Sequence, residues 1–139
     1  MKKLLTSLLL VSVGSVYAAS IPTPVDIPAS SMIPVKVLIG GDLTKTTTPD
    51  SPFPVVLLIQ NNSLAGCKIN ASAYPDFASG RAMIKTNKIV CDNTEVAIHG
   101  YVAGSDDKAG IQGTKSLKTV SINKGTEATV VVLDKAVLK

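Results

Sequence analysis

The chain has 139 residues, with 14 Lys+Arg against 10 Asp+Glu for a formal net charge of +4, two cysteines, one histidine and no tryptophan. The charges are scattered, without a Lys/Arg block or interleaved aromatics, so the electrostatic footprint that nucleic-acid binding requires is missing.

The opening MKKLLTSLLLVSVGSVYAAS sets Lys2 and Lys3 before an apolar run from Leu4 to about Val16 and closes on small residues. This pattern predicts a secretory signal peptide over residues 1–19, cleaved after Ala18 or Ala19. The run falls short of the roughly 20 apolar residues of a spanning helix, and no later segment is long enough for a direct transmembrane span. No cysteine lies near the cleavage site, so acyl-cysteine attachment is not available. About 120 residues remain, enough for one domain that buries roughly two-thirds of its extended surface. Because two of the 14 basic residues are in the leader, 12 then face 10 acidic ones.

Residues 20–34 carry Pro22, Pro24, Pro28 and Pro34. Proline fixes φ and lacks the N–H that a helix or central strand uses, which predicts an extended arm. From 35 to 139 the chain reads as short β segments. In PVKVLIGG, Val35, Val37 and Ile39 point one way, while FPVVLLIQN is continuously apolar and suits a strand covered on both faces. Between them, GDLTKTTTPDSP reads as a polar hairpin tip. Next, Cys67, Ile69, Ala71 and Ala73 share one face and Lys68, Asn70, Ser72 and Tyr74 the other; YPDFASG turns and RAMIKTNKIVC runs back. TEVAIHGYVAG alternates as one strand, with Val96, Ile98, Gly100 and Val102 on one side. GSDDKAG is a tight polar turn, and Gly125 marks the turn between two final strands around 120–122 and 129–133. No run of helical period exceeds a turn or two, so the fold class is all-β, a small barrel or sandwich.

Candidate chemistry is sparse. His99 falls on the face opposite Val96 and Ile98 and reads as solvent- or partner-facing rather than as a general base. Ser72, Ser79 and Ser105 lack a nucleophile motif. Two cysteines and one histidine do not make a zinc site at a recognised spacing. Asp106-Asp107 lacks the ligand alternation of a calcium loop and reads as a solvated turn. Asn61-Asn62-Ser63 and Asn70-Ala71-Ser72 match a short glycosylation pattern that is common by chance. No catalytic residue, cofactor or metal is expected. In an exported domain, Cys67 and Cys91 are most simply joined in a disulfide, and they lack the adjacency of a redox C-x-x-C pair.

Four strings, IPASSMIPVKVLIGGDL, GCKINASAYPDFASGRAMIKTNKIVC, VAIHGYVAGSDDKAGIQG and VSINKGTEATVVVLD, occur in order. Together they resemble the carboxy-terminal domain of the TraB/TrbI family, scaffolds of conjugative type IV secretion systems, from about Ile27 to Leu133. Ile27, Pro28 and Ala29 match the opening of that pattern, and Gly66, Cys67 and Cys91 its cysteine positions. Tyr74, Asp76, Arg81 and Ala82 match its first turn and the following strand. Gly100, Tyr101, Val102, Gly104, Asp106, Lys108, Ala109, Gly110 and Gly113 match its glycine-rich segment. Pro75, Gly80 and Asp107 depart from it.

The resemblance implies a modified β-barrel that assembles by protein–protein contact into a ring near the outer membrane. It also implies that TKSLKT, between Gly113 and Val120, stands where typical members carry a helical hairpin reaching that membrane. The expected function is a minimal, non-catalytic periplasmic component of a secretion core complex, whose partners are other core proteins or copies of itself. A soluble periplasmic regulator or inhibitor of assembly, and a freestanding binding module, are the alternative expectations.

Overall fold

The computed structural model describes residues 25–60, 63–92 and 94–138. The leader, with Ala18 and Ala19, and the pattern at Asn61 lie outside the described residues.

The all-β expectation holds: six antiparallel strands close into a barrel. In chain order they are β2 (Met32–Ile39), β4 (Phe53–Ile59), β5 (Lys68–Asp76), β6 (Arg81–Cys91), β8 (Gly100–Gly104) and β12 (Glu127–Val132). Around the barrel the order is β5-β4-β2-β12-β8-β6, and β6 pairs again with β5. Two short strands, β7 (Thr94–Ala97) and β9 (Ile111–Gln112), hang on β6. A three-stranded sheet of β10 (Thr114–Lys115), β11 (Thr119–Ile122) and β3 (Gly41–Thr44) lies beside the barrel, and β1 (Val25–Ile27) pairs with β13 (Ala136–Leu138).

Period-two alternation sends one row of each strand inward. Ile33, Val35 and Val37 of β2, Val55, Leu57 and Ile59 of β4, Ile69, Ala71 and Ala73 of β5, and Val130 and Val132 of β12 fill the interior. The filling is almost wholly aliphatic, and among the described residues Phe53 and Phe77 are the aromatics that pack against it, both partly buried.

Several expectations need revision. Ile39 points outward and is exposed, because the β2–β4 register shifts between Val37 and Ile39 and one irregular step reverses the face of every later side chain. Strand β4 is buried on its inner row only; Val56 and Leu58 stay half-buried outside. The polar connection GDLTKTTTPDSP contains β3, whose Leu43 is fully buried opposite Val120. The TEVAIHGYVAG strand is two strands, broken at Ile98-His99, although Ile98, Gly100 and Val102 keep their common buried face. A similar irregularity lies in β6, where Asn87 is the extra residue between Asn70↔Lys88 and Ala71↔Thr86.

Of the arm expected over 20–34, residues 20–24 with Pro22 and Pro24 lie outside the described residues, and much of the rest is drawn into sheets. Val25–Ile27 already pair with β13, and Met32–Pro34 open β2 inside the barrel. Pro34 is tolerated because of where its nitrogen points. Its carbonyl accepts from Gln60 N at 2.9 Å, so its N side faces the end of β4 and the ladder to β12 loses no donor.

Cys67 and Cys91 form a disulfide with Cα atoms 4.7 Å apart. They are opposite one another at the open end of the β5–β6 hairpin, one step beyond the Lys68↔Val90 pair. Both are buried. Replacing both by serine should lower the unfolding free energy by about 3 kcal/mol, the chain-entropy value for a loop of this length. Urea denaturation of the parent and of the double variant measures it; equal midpoints would show that the bridge adds nothing to the hairpin's own pairing.

Candidate functional site

Strands β6 and β8 close the barrel, yet they share one ladder position, Lys85↔Tyr101. Side chains take over on both sides of it. Above, the buried Thr86 hydroxyl donates to Ile98 O at 3.0 Å and reaches Gly100 O at 3.3 Å. Below, Arg81 holds the 104–110 loop.

Arg81 is only 8 % exposed. Its Nε donates to Ala109 O at 2.8 Å, and its Nη2 donates to Gly110 O at 2.6 Å and Lys108 O at 3.1 Å. The same guanidinium grips Asp106 through both carboxylate oxygens, Nη1 to Oδ2 at 2.8 Å and Nη2 to Oδ1 at 3.1 Å. A planar fork with five donors suits this arrangement, and a lysine could not reproduce it. The loop helps itself as well: Gly104 N donates to Lys108 O, Asp107 N to Gly104 O, and Lys108 N to Asp106 Oδ1. Asp107 takes φ 63° and Gly110 φ 81°. Gly110 is required twice over, since a Cβ there would also lie 2.7 Å from Ala82 O and 2.9 Å from Met83 Sδ.

The first turn is tied to the same place. The Asp76 carboxylate accepts from Ala78 N and Ser79 Oγ, and Gly80 N donates to Asp76 O. Gly113 N donates to Gly80 O at 3.0 Å, and Gln112 reaches both Gly80 O and Arg81. Thus Asp76, Arg81, Gly104, Asp106, Lys108, Ala109, Gly110 and Gly113, from two blocks of the chain, form one unit. Ile27, Pro28, Ala29 and Gly66 lie elsewhere: Ile27 is buried on β1, Pro28 and Ala29 make an exposed turn, and Gly66 takes φ 90° before Cys67.

Where β6 and β8 diverge, an open groove of ≈ 460 Å³ remains, lined chiefly by Tyr74, Met83, Lys85, Tyr101, Leu133 and Asp134. Tyr101 and Leu133 are 39 % and 57 % exposed. His99 stands at the rim with its Nδ1 3.0 Å from Asp134 Oδ2, both side chains exposed, an arrangement of small energetic consequence. Ser72 bonds to Asn87 Nδ2 on the outer wall, Ser79 serves the first turn, and Ser105 is exposed. His99 thus has an acid beside it and none of these serines as a bonded partner. Among the described residues no group of three or more His, Cys, Asp or Glu could hold a metal ion, and no helix is long and apolar enough to cross a membrane.

Sequence reasoning missed Thr86, Gln112, Lys85 and Asp134 as members of this face. Only Thr86 leaves a trace, a polar residue on the inward row of an alternating strand.

Comparison with protein-family models and with curated proteins finds no match to this chain.

Two outcomes are expected. Arg81→Ala should cost on the order of 3 kcal/mol, because it leaves the buried Gly110 carbonyl and the part-buried carbonyls of Lys108 and Ala109 without their donor, and Arg81→Lys should recover only a part. Thermal or urea unfolding reads both, and a loss under 1 kcal/mol would show that water replaces the guanidinium. The second concerns pH. Arg81, and then Lys108 N, hold the Asp106 carboxyl below its ordinary 3.8. A depressed acid stabilises above its unfolded pKa and loses that contribution as pH falls through the folded one. The stability difference between parent and Asp106→Asn should therefore be constant above about pH 5 and shrink below pH 4. A difference that grows toward low pH would contradict the assignment.

Proposed function

We propose that this chain is an exported, non-catalytic structural component that acts in the periplasm, joining or capping a type IV secretion core complex through protein–protein contacts. One observation carries the reading. The two blocks that most closely resemble the TraB/TrbI pattern, around Tyr74–Ala82 and Gly100–Gly113, are knit together through Arg81, so their residues answer to one structural requirement. Their arginine, aspartate and glycines hold a loop against a barrel wall, a scaffold's chemistry rather than a catalyst's. The closed barrel fits the fold that the resemblance implies. A disulfide at the hairpin end suits an oxidising compartment.

The β10–β11 hairpin favours a second reading. Its turn at 116–118 is only a few residues long, too short to reach a membrane in the way the resemblance implies for full members. A chain that takes a subunit's place without that extension would act as a regulator or inhibitor of assembly.

Purifying the envelope complex from the native host separates these readings. Stoichiometric recovery of this chain in assembled complexes is expected for the component. Absence from them, together with loss of conjugation on overproduction, would replace that reading with the inhibitor; absence without any effect on conjugation would remove both.

A further inference from the structure

A single row of side chains crosses the outer wall of the barrel at the thin seam. Lys85 of β6 stands opposite Tyr101 of β8, Tyr101 opposite Val131 of β12, and Val131 opposite Met32 of β2. Alternation turns all of them outward, since Ile84, Val102, Val130 and Ile33 beside them are buried. The row therefore begins at a cation and continues as apolar surface across the neighbouring strands, over about 14 Å at the usual strand spacing. Met32, at its far end, is 70 % exposed.

At the Lys85 end the row lies in the ≈ 460 Å³ groove. The registers put Met83 and its partner Tyr74 on one side of the row and Leu133 on the other. This volume falls within the range of small-molecule sites, roughly 300–1,000 Å³.

The charges select the ligand. Asp134 at the rim is taken by His99, with Nδ1 3.0 Å from Oδ2. Asp106 is held by Arg81, and Asp76 accepts from Ala78 N and Ser79 Oγ within its own turn. Lys85 is left over. Its ladder neighbours, Ser72 and Tyr101, are uncharged, and it has no acidic partner among the described residues. A ligand that answers it carries one anionic group on an apolar body. An anionic bilayer does not answer it, because Lys85 is the one Lys or Arg among the groove's lining residues, where a lipid surface is held by clusters of about four to eight.

We propose that the groove binds a free single-chain carboxylate of about twelve carbons, a length that matches the row, with its head on the Lys85 ammonium and its chain along Tyr101 and Val131 toward Met32. This goes beyond the assembly reading and does not rest on it.

The test uses the exported protein and dodecanoate kept below its micelle concentration. The sequence has no tryptophan, and of its three tyrosines Tyr17 lies in the leader pattern, so tyrosine emission of the leader-free chain reports on Tyr74 and Tyr101. Emission should change saturably with dodecanoate, and the melting temperature should rise, as it does for a ligand of the native state. Dodecyltrimethylammonium, with the same chain and the opposite charge, should bind several-fold more weakly. Lys85→Gln should weaken dodecanoate about threefold to fivefold, the effect of one partly exposed ion pair, and Lys85→Arg should keep the parent affinity. Leu133→Asp should weaken it about tenfold or more through lost apolar contact. Lys85 and Leu133 are exposed, so unchanged melting curves without ligand confirm that the variants fold.

No saturable change, equal affinity for the cationic amphiphile, indifference to Lys85→Gln, or attachment to phosphatidylglycerol vesicles without binding of monomeric dodecanoate would overturn the proposal. Failure here is distinguishable from failure of the functional reading. A chain that ignores dodecanoate yet is recovered in envelope complexes loses only the ligand, while a dodecanoate-binding chain absent from them loses only the secretion role.

Discussion

A barrel must meet itself, and here the closing strands β6 and β8 share a single ladder position. The rest of the structure is arranged around that thin seam. Backbone groups that would have paired across it would be left unsatisfied in a dry interior, which is costly. Thr86 serves the carbonyls at one end, and Arg81 serves those of the 104–110 loop at the other. The loop thus fills space that a longer β8 would have occupied, and its bond from Gly110 N to Val102 O makes it an extra partner for the strand.

The same arrangement explains the outer surface. Because β6 and β8 separate below Lys85 and Tyr101, side chains that a regular sheet would cover on their flanks line an open groove. The neighbouring β5–β6 hairpin is the firm part of the wall, paired from Asp76↔Arg81 to Lys68↔Val90 with one irregular step at Asn87 and the disulfide just beyond. Stability and accessibility are therefore separated around the barrel: one wall is cross-linked and paired along nearly all its length, and the adjacent one is held by side chains and leaves apolar surface exposed.

Much of the fold was legible in the sequence. Alternation marked the inward rows of β5 and of β2 as far as Val37, and the GSDDKAG and NKGTE turns sit where glycine indicated. Ile39 went astray because it follows an irregularity that costs its strand one residue of register, and no residue type announces such a step. Leu43, a lone apolar residue among threonines, is core only because β11 lies against it. Pro34 was read as incompatible with a central strand, and it is incompatible only when its nitrogen faces a paired neighbour.

For the candidate site, the sequence by itself determined the elements: an export-type leader pattern, an all-β chain, two cysteines suited to a staple, and two glycine-bearing blocks whose residue types suggested tight turns. Composition and local pattern suffice for these because each depends on neighbours in the chain. Tertiary structure alone decided that Arg81 belongs with a loop 25 positions later, that Thr86 replaces missing ladder bonds, and that Tyr74, Leu133 and Asp134 meet at one groove. Those relations arise from barrel closure, which brings distant segments together by a geometry that local alternation does not encode.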